Sequence, residues 1–133
     1  MAVFESHRLF KLWSYTVSHR TMFLRSNPDP QQGETTRIEI YVGHVDLMMI
    51  SSDLEGLRLW RASDLERIDV NRKYGTDAKP NALYLLRSRN AAGFIISGRP
   101  QWREAACSIE DETLFKFGDP WNPDMYVNWG NVE

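Results

Sequence analysis

Cysteine is almost missing from this chain. Its 133 residues hold one, Cys107, which excludes an internal disulfide framework and fits a reducing compartment. Long apolar runs are missing too: none approaches the ~18 residues that a membrane span needs. The opening Met-Ala-Val-Phe-Glu-Ser-His-Arg lacks the apolar centre of a signal peptide. A cytoplasmic protein with no membrane partner is expected. An excess of positive charge is also lacking. The net charge of −2 and a pI near 5.9 give no electrostatic case for nucleic acid.

Catalytic signatures are absent as well. The chain contains no phosphate-binding P-loop, no Gly-x-Gly-x-x-Gly, no His-Glu-x-x-His and no Gly-x-Ser-x-Gly. His44 and Asp46 are spaced as two ligands on a strand would be, but no third ligand follows, so no metal is assigned. Cys107 beside Ala105 and Ala106 reads as a packed thiol rather than a nucleophile. A non-enzymatic role without a cofactor is expected. An enzyme would need a cleft where two or more titratable groups converge.

What is present is a β pattern. Hydrophobic residues at 42% and aromatic residues at 12% describe a folded chain, of a length for one domain. Its most ordered stretch is residues 37–50. Ile38, Ile40 and Val42 occupy even positions, whereas Val45, Leu47 and Met49 occupy odd ones. A change of parity needs a turn or a bulge. A two-residue loop at Gly43-His44 pairs Val42 with Val45, Ile40 with Leu47 and Ile38 with Met49, all on one face. Gly43 suits the first position of a II′ turn. One unbroken strand of that length would span roughly 46 Å, too long for a domain whose radius of gyration is about 14 Å. A central hairpin is therefore expected. On that register Glu39 points away from the apolar face, either solvated or paired with Arg37 or Arg58.

Around it, residues 9–26 read as a hairpin. A loop at residues 18–21 pairs Val17 with Met22, Tyr15 with Leu24 and Trp13 with Ser26. Residues 27–33, with two prolines, form a loop. Residues 57–60 make a short strand. Ser63 and Glu66 form a capping box for a short helix, because Ile68-Asp-Val70 returns to period two. Residues 71–81 are the expected mobile loop. Residues 83–97 form a third hairpin, apolar on both faces. Residues 100–109 fit a helix opened by Pro100 or a strand through Arg103, Ala105 and Cys107 equally well.

The whole is expected to be mainly β: antiparallel hairpins, seven to nine strands, forming a partly closed barrel or sandwich with little helix. Residues 1–133 make a single domain, with 114–133 as an aromatic, acidic tail packed on it. Two stretches, residues 12–26 and the run Ile-Glu-Ile-Tyr-Val-Gly-His-Val-Asp-Leu at 38–47, resemble the opening half of small bacterial β-rich proteins of unassigned function. The resemblance covers about a third of the chain and implies no activity or site.

Charge is uneven along the chain. Residues 1–103 carry fifteen basic and eleven acidic groups, while residues 104–133 set Lys116 against seven acids. Twelve of the sixteen basic residues are arginines, favoured where planar, bidentate contacts matter. The expected function is a protein-binding module, an immunity-type or accessory protein that masks a basic partner. Its surface would comprise Trp102, Glu110, Asp111, Glu112, Trp121, Tyr126 and Trp129. The structural reading of these rings, which a domain this small favours, is that they pin the tail across an open end of the sheet. The alternative function is an aromatic or apolar small ligand held in the interior of a barrel lined by Trp13, Tyr15, Trp60 and Tyr84.

Overall fold

The computed structural model describes residues 2–133. Its strands are β1 (Phe4–Thr16), β2 (Thr21–Ser26), β3 (Thr36–Val42), β4 (Leu47–Met49), β5 (Asp53–Arg61), β6 (Leu83–Arg87), β7 (Ala92–Ile96), β8 (Gln101–Ala106) and β9 (Asn128–Asn131). One α-helix, α1 (Asp64–Tyr74), lies between β5 and β6. The strands form one antiparallel sheet in the order β4-β7-β6-β5-β1-β2-β3-β8-β9. The mainly antiparallel β architecture with little helix is as the alternation predicts. The ladder does not close into a barrel, because β4 and β9 remain its two edges.

β1 joins two halves of the sheet. Its residues 4–11 pair with β5 and residues 11–16 with β2, with bulges between Ser6 and Leu9 and between Leu12 and Ser14. Bulges bend and twist a strand, which lets β1 serve both halves. The halves cannot lie flat. β3 and β4 stand six places apart in the order, about 28 Å at ~4.7 Å per strand. Only residues 43–46 connect them, and such a link reaches at most about 18 Å. The link between β7 and β8, residues 97–100, makes the same jump in the other direction. The Gly98 amide donates to the Gly43 carbonyl at 2.9 Å and ties the two links together. The sheet therefore folds over. Phe10, Leu59 and Ile95 of one half meet Met22, Leu24, Ile40 and Val42 of the other in one buried core.

The central hairpin does not form. Ile40 pairs with Leu24 and Trp102, while Leu47 pairs with Ile96 at the far side of the sheet. The parity change marks a crossover. His44, not Gly43, takes the left-handed conformation, at φ 52°. The Val45 amide donates to the Arg20 carbonyl and the Asp46 amide to the Ile96 carbonyl, so the chain leaves β3 and joins the opposite edge. Glycine at 43 serves a different need. A Cβ there would sit 2.7 Å from Tyr41 Oη, so its absence makes room for the tyrosine ring.

The other two hairpins exist. The β6–β7 hairpin pairs Leu83 with Ile96 and Leu85 with Phe94. The β1–β2 hairpin turns earlier than the alternation suggests, pairing Thr16 with Thr21 and Tyr15 with Met22, and the bulge at Trp13 then shifts the register by one more residue, so that Leu12 pairs with Leu24. Residues 101–106 resolve as strand. The capping box at Ser63 and Glu66 is formed, but α1 continues to Tyr74 and ends on Gly75 in the left-handed region. No residue of α1 is buried, so no apolar face announces it. Its first-turn acids Asp64 and Glu66 and last-turn bases Arg72 and Lys73 suit the helix dipole. Beyond it, the Asn71 side chain holds Thr76 and both polar backbone groups of Ala78, so this segment is anchored. Among the described residues, no helix is long and apolar enough to cross a membrane.

Candidate functional site

The outer faces of β2, β3 and β8 are built by alternation. Ile38 and Ile40 face the core, so Arg37, Glu39 and Tyr41 face outward, beside Phe23 and Arg25 on β2 and Arg103 on β8. Such a row is ordinarily solvated. Here residues 107–117 lie across it, and Arg37 and Glu39 are fully buried. The Arg37 guanidinium donates to Glu39 Oε2 at 3.2 Å and to the carbonyls of Ser108, Ile109, Asp111 and Glu112 at 2.7–3.2 Å. Glu39 also accepts from the Thr113 hydroxyl at 2.6 Å and the Leu114 amide at 2.9 Å, with Arg25 at 3.7 Å. A carboxylate and two guanidiniums thus fasten an irregular strap to the sheet. Of the two environments expected for Glu39, pairing with Arg37 is found and solvation is not.

Arg103 organises the next segment. It donates to the Leu114 carbonyl at 2.8 Å. Its guanidinium carbon lies 3.3 Å from the Trp121 ring centroid, 4.1 Å from that of Phe115 and 5.5 Å from that of Tyr126. Cation–π attraction at such distances holds a chain that has no ladder of its own. Burial lowers the Arg103 pKa from its ordinary value, and the neighbouring Tyr126 hydroxyl opposes that shift. Trp121 packs on Tyr126 at 4.8 Å and edge-on to Trp129 at 5.8 Å. Beside Trp121 and Tyr126 opens a cavity of about 560 Å³ whose walls also include Arg103, Cys107, Asp111 and Glu112.

The predicted site residues divide. Trp121, Tyr126 and Trp129 come together. Trp102 does not join them: it alternates with Arg103, faces the core side and packs on Phe4 at 5.3 Å. Glu110 is exposed. The Asp111 carboxylate accepts the Ser108 amide at 2.7 Å and closes the strap's turn, and Glu112 pairs with Lys116 at 3.1 Å. The rings proposed to line an interior cavity do not converge: Trp13 and Tyr15 are exposed, while Tyr84 is buried in the core. Asp46 is ion-paired with Arg20 instead of sharing a ligand with His44. Burial raises the Cys107 pKa above the ordinary thiol value, with Arg37 opposing, as suits a packed thiol.

Alternation alone did not reveal the Arg25–Arg37–Glu39 cluster, because it places those residues toward water. A signal was present in the run Leu114-Phe-Lys-Phe117, whose two rings need a partner surface. No protein-family model, curated protein sequence or solved structure matches this chain.

Proposed function

We propose that the protein is a non-enzymatic binding module whose C-terminal segment docks a basic protein partner, in the manner of an immunity-type or accessory protein. One observation carries this reading. Between residues 109 and 129 six large apolar side chains remain exposed, with Phe117 at 70%, Met125 at 73% and Val127 at 65%, beside Ile109, Trp121 and Trp129. They are interleaved with Glu110, Glu112, Asp119 and Asp124. Apolar patches rimmed by charge mark protein interfaces, and Trp and Met are enriched there. The acid excess of this segment suits a basic partner and would speed the encounter.

The test is affinity capture from an extract of the source cell, comparing wild type with two variants. In one, Glu110, Asp119 and Asp124 become Lys; Asp111 is left alone because it closes the strap. In the other, Met125→Ser and Val127→Ser remove apolar contact. A partner held by wild type should be lost from the first variant at low salt and from the second at any salt. A partner retained by both variants would sink the reading.

A further inference from the structure

A second hollow, of about 510 Å³, lies on the other side of the Thr113–Leu114–Phe115 strap. One end is aromatic. Tyr41 packs on Phe115 at 5.4 Å and on Phe117 at 5.0 Å, and Phe23 packs on Tyr41 at 5.6 Å. The other end, at the β1–β2 turn and the crossover after β3, presents Thr16, His19, Thr21 and His44. The volume suits a small molecule, and apolar walls with a few convergent polar groups are the usual make-up of a ligand pocket.

Charge selects the ligand. Among the described residues no acid lines this hollow, and its ionisable groups besides Tyr41 are two imidazoles. The nearby carboxylates are already engaged: Glu39 by Arg37, Thr113 and the Leu114 amide, and Asp46 by Arg20. The cavity near Trp121, by contrast, is lined by Asp111, Glu112 and Asp119 against Arg103 and Lys116, so acids outnumber bases there. A positive ligand would favour that cavity, and a negative one favours this hollow. The Phe117 ring, 70% exposed while it packs on Tyr41, leaves a face on which a flat ring can stack.

We propose that this hollow binds a small planar aromatic acid, its rings against Phe23, Tyr41, Phe115 and Phe117 and its anionic head toward His19 and His44. Phe117 belongs to both this hollow and the proposed docking surface, whereas His19 and His44 belong to the hollow alone, so the histidine variants separate the two readings.

Two fluorescent probes test it: anilinonaphthalene sulfonate, and phenylnaphthylamine, which keeps the rings and lacks the sulfonate. One sulfonate dye should bind per chain, about tenfold tighter than the neutral dye, as one charge-assisted hydrogen bond would give. Phe117→Ala should weaken both dyes. Its exposure lets the fold stand without it. His19→Gln together with His44→Asn should abolish the preference for the sulfonate and leave the neutral dye unchanged. Asn is chosen because position 44 is left-handed. Met125→Ser, in the docking surface, should change neither. Equal affinity for the two dyes, undiminished binding to Phe117→Ala, or loss of binding in Met125→Ser would each overturn the proposal. Amide shifts give a second reading: dye-induced changes around Thr21, Phe23 and His44 support it, and changes centred on Trp129 overturn it.

Discussion

Some of the twelve arginines occupy positions that need a planar fork. Arg8 is buried and donates to the Ser26 and Thr36 hydroxyls and to the carbonyls of Ser26, Asn27 and Thr36, which fixes the loop between β2 and β3. Arg37 fixes the strap in the same way. A lysine ammonium cannot reach so many carbonyls in one plane. Glu39 is the counter-charge on which the strap cluster depends. Removing one partner of a buried ion cluster leaves an uncompensated charge and costs about 3–5 kcal/mol. Glu39→Gln is therefore expected to lower unfolding free energy by that amount in urea melts; a loss under ~1 kcal/mol would contradict the buried cluster. Cys107 reports on the same strap. Because burial holds its pKa above the ordinary thiol range, iodoacetamide should label it slowly at neutral pH. Arg37→Lys, which loosens the strap, should speed labelling. The linkage has a definite sign. As pH climbs past the ordinary thiol value, the unfolded chain ionises first and binds fewer protons than the folded one, so stability falls with rising pH in that window. Wild-type labelling as fast as that of a free thiol would show the strap open.

At the scale of elements, period-two alternation revealed β2, β3 and the second half of β1, two unbroken apolar runs revealed β6 and β7, and the Ser63 capping box located the start of α1. Local pattern could not choose between a reversal and a crossover at residues 43–44, since both change parity. That choice lies in distant partners: β3 is satisfied by β2 and β8 on its two sides, leaving no edge for β4. The length of α1 was hidden because a helix with no buried residue carries no apolar stripe. The aromatic tail was visible as composition, but its attachment through Arg37, Glu39 and Arg103 was not, because irregular segments have no period. β4 itself is a weak element of three residues on the edge. It approaches β7 so closely that a Cβ at Gly93 would collide with the Met49 carbonyl. Gly93→Ala is expected to destabilise by about 1–3 kcal/mol, the usual range for overpacking. Hydrogen exchange should accelerate at residues 47–49 and remain slow in β6. Unchanged protection at those amides would mean that β4 packs without this close approach.

For the whole molecule, the question is whether the C-terminal segment is an appendage or part of the fold. Val132 is fully buried within the main core, and Phe115 is 2% exposed. The Val132 amide donates to the Pro100 carbonyl and the Glu133 amide to the Ala2 carbonyl, so the last residues lie against the first described one. Ending the chain at Ala106 removes both apolar anchors, roughly 3–6 kcal/mol at ~1.5–3 for each side chain. It also uncovers Tyr41 and Phe23 and strips β9 from the edge of β8. Domains of this kind are stable by only about 5–15 kcal/mol. The truncated chain is therefore expected to lose cooperative melting and near-ultraviolet dichroism while keeping part of its far-ultraviolet β signal. Calorimetry on the two chains decides the matter. If the truncated chain melted cooperatively at the wild-type temperature, the two halves of the sheet would be held by their shared core alone, and the strap would exist only for what docks on it.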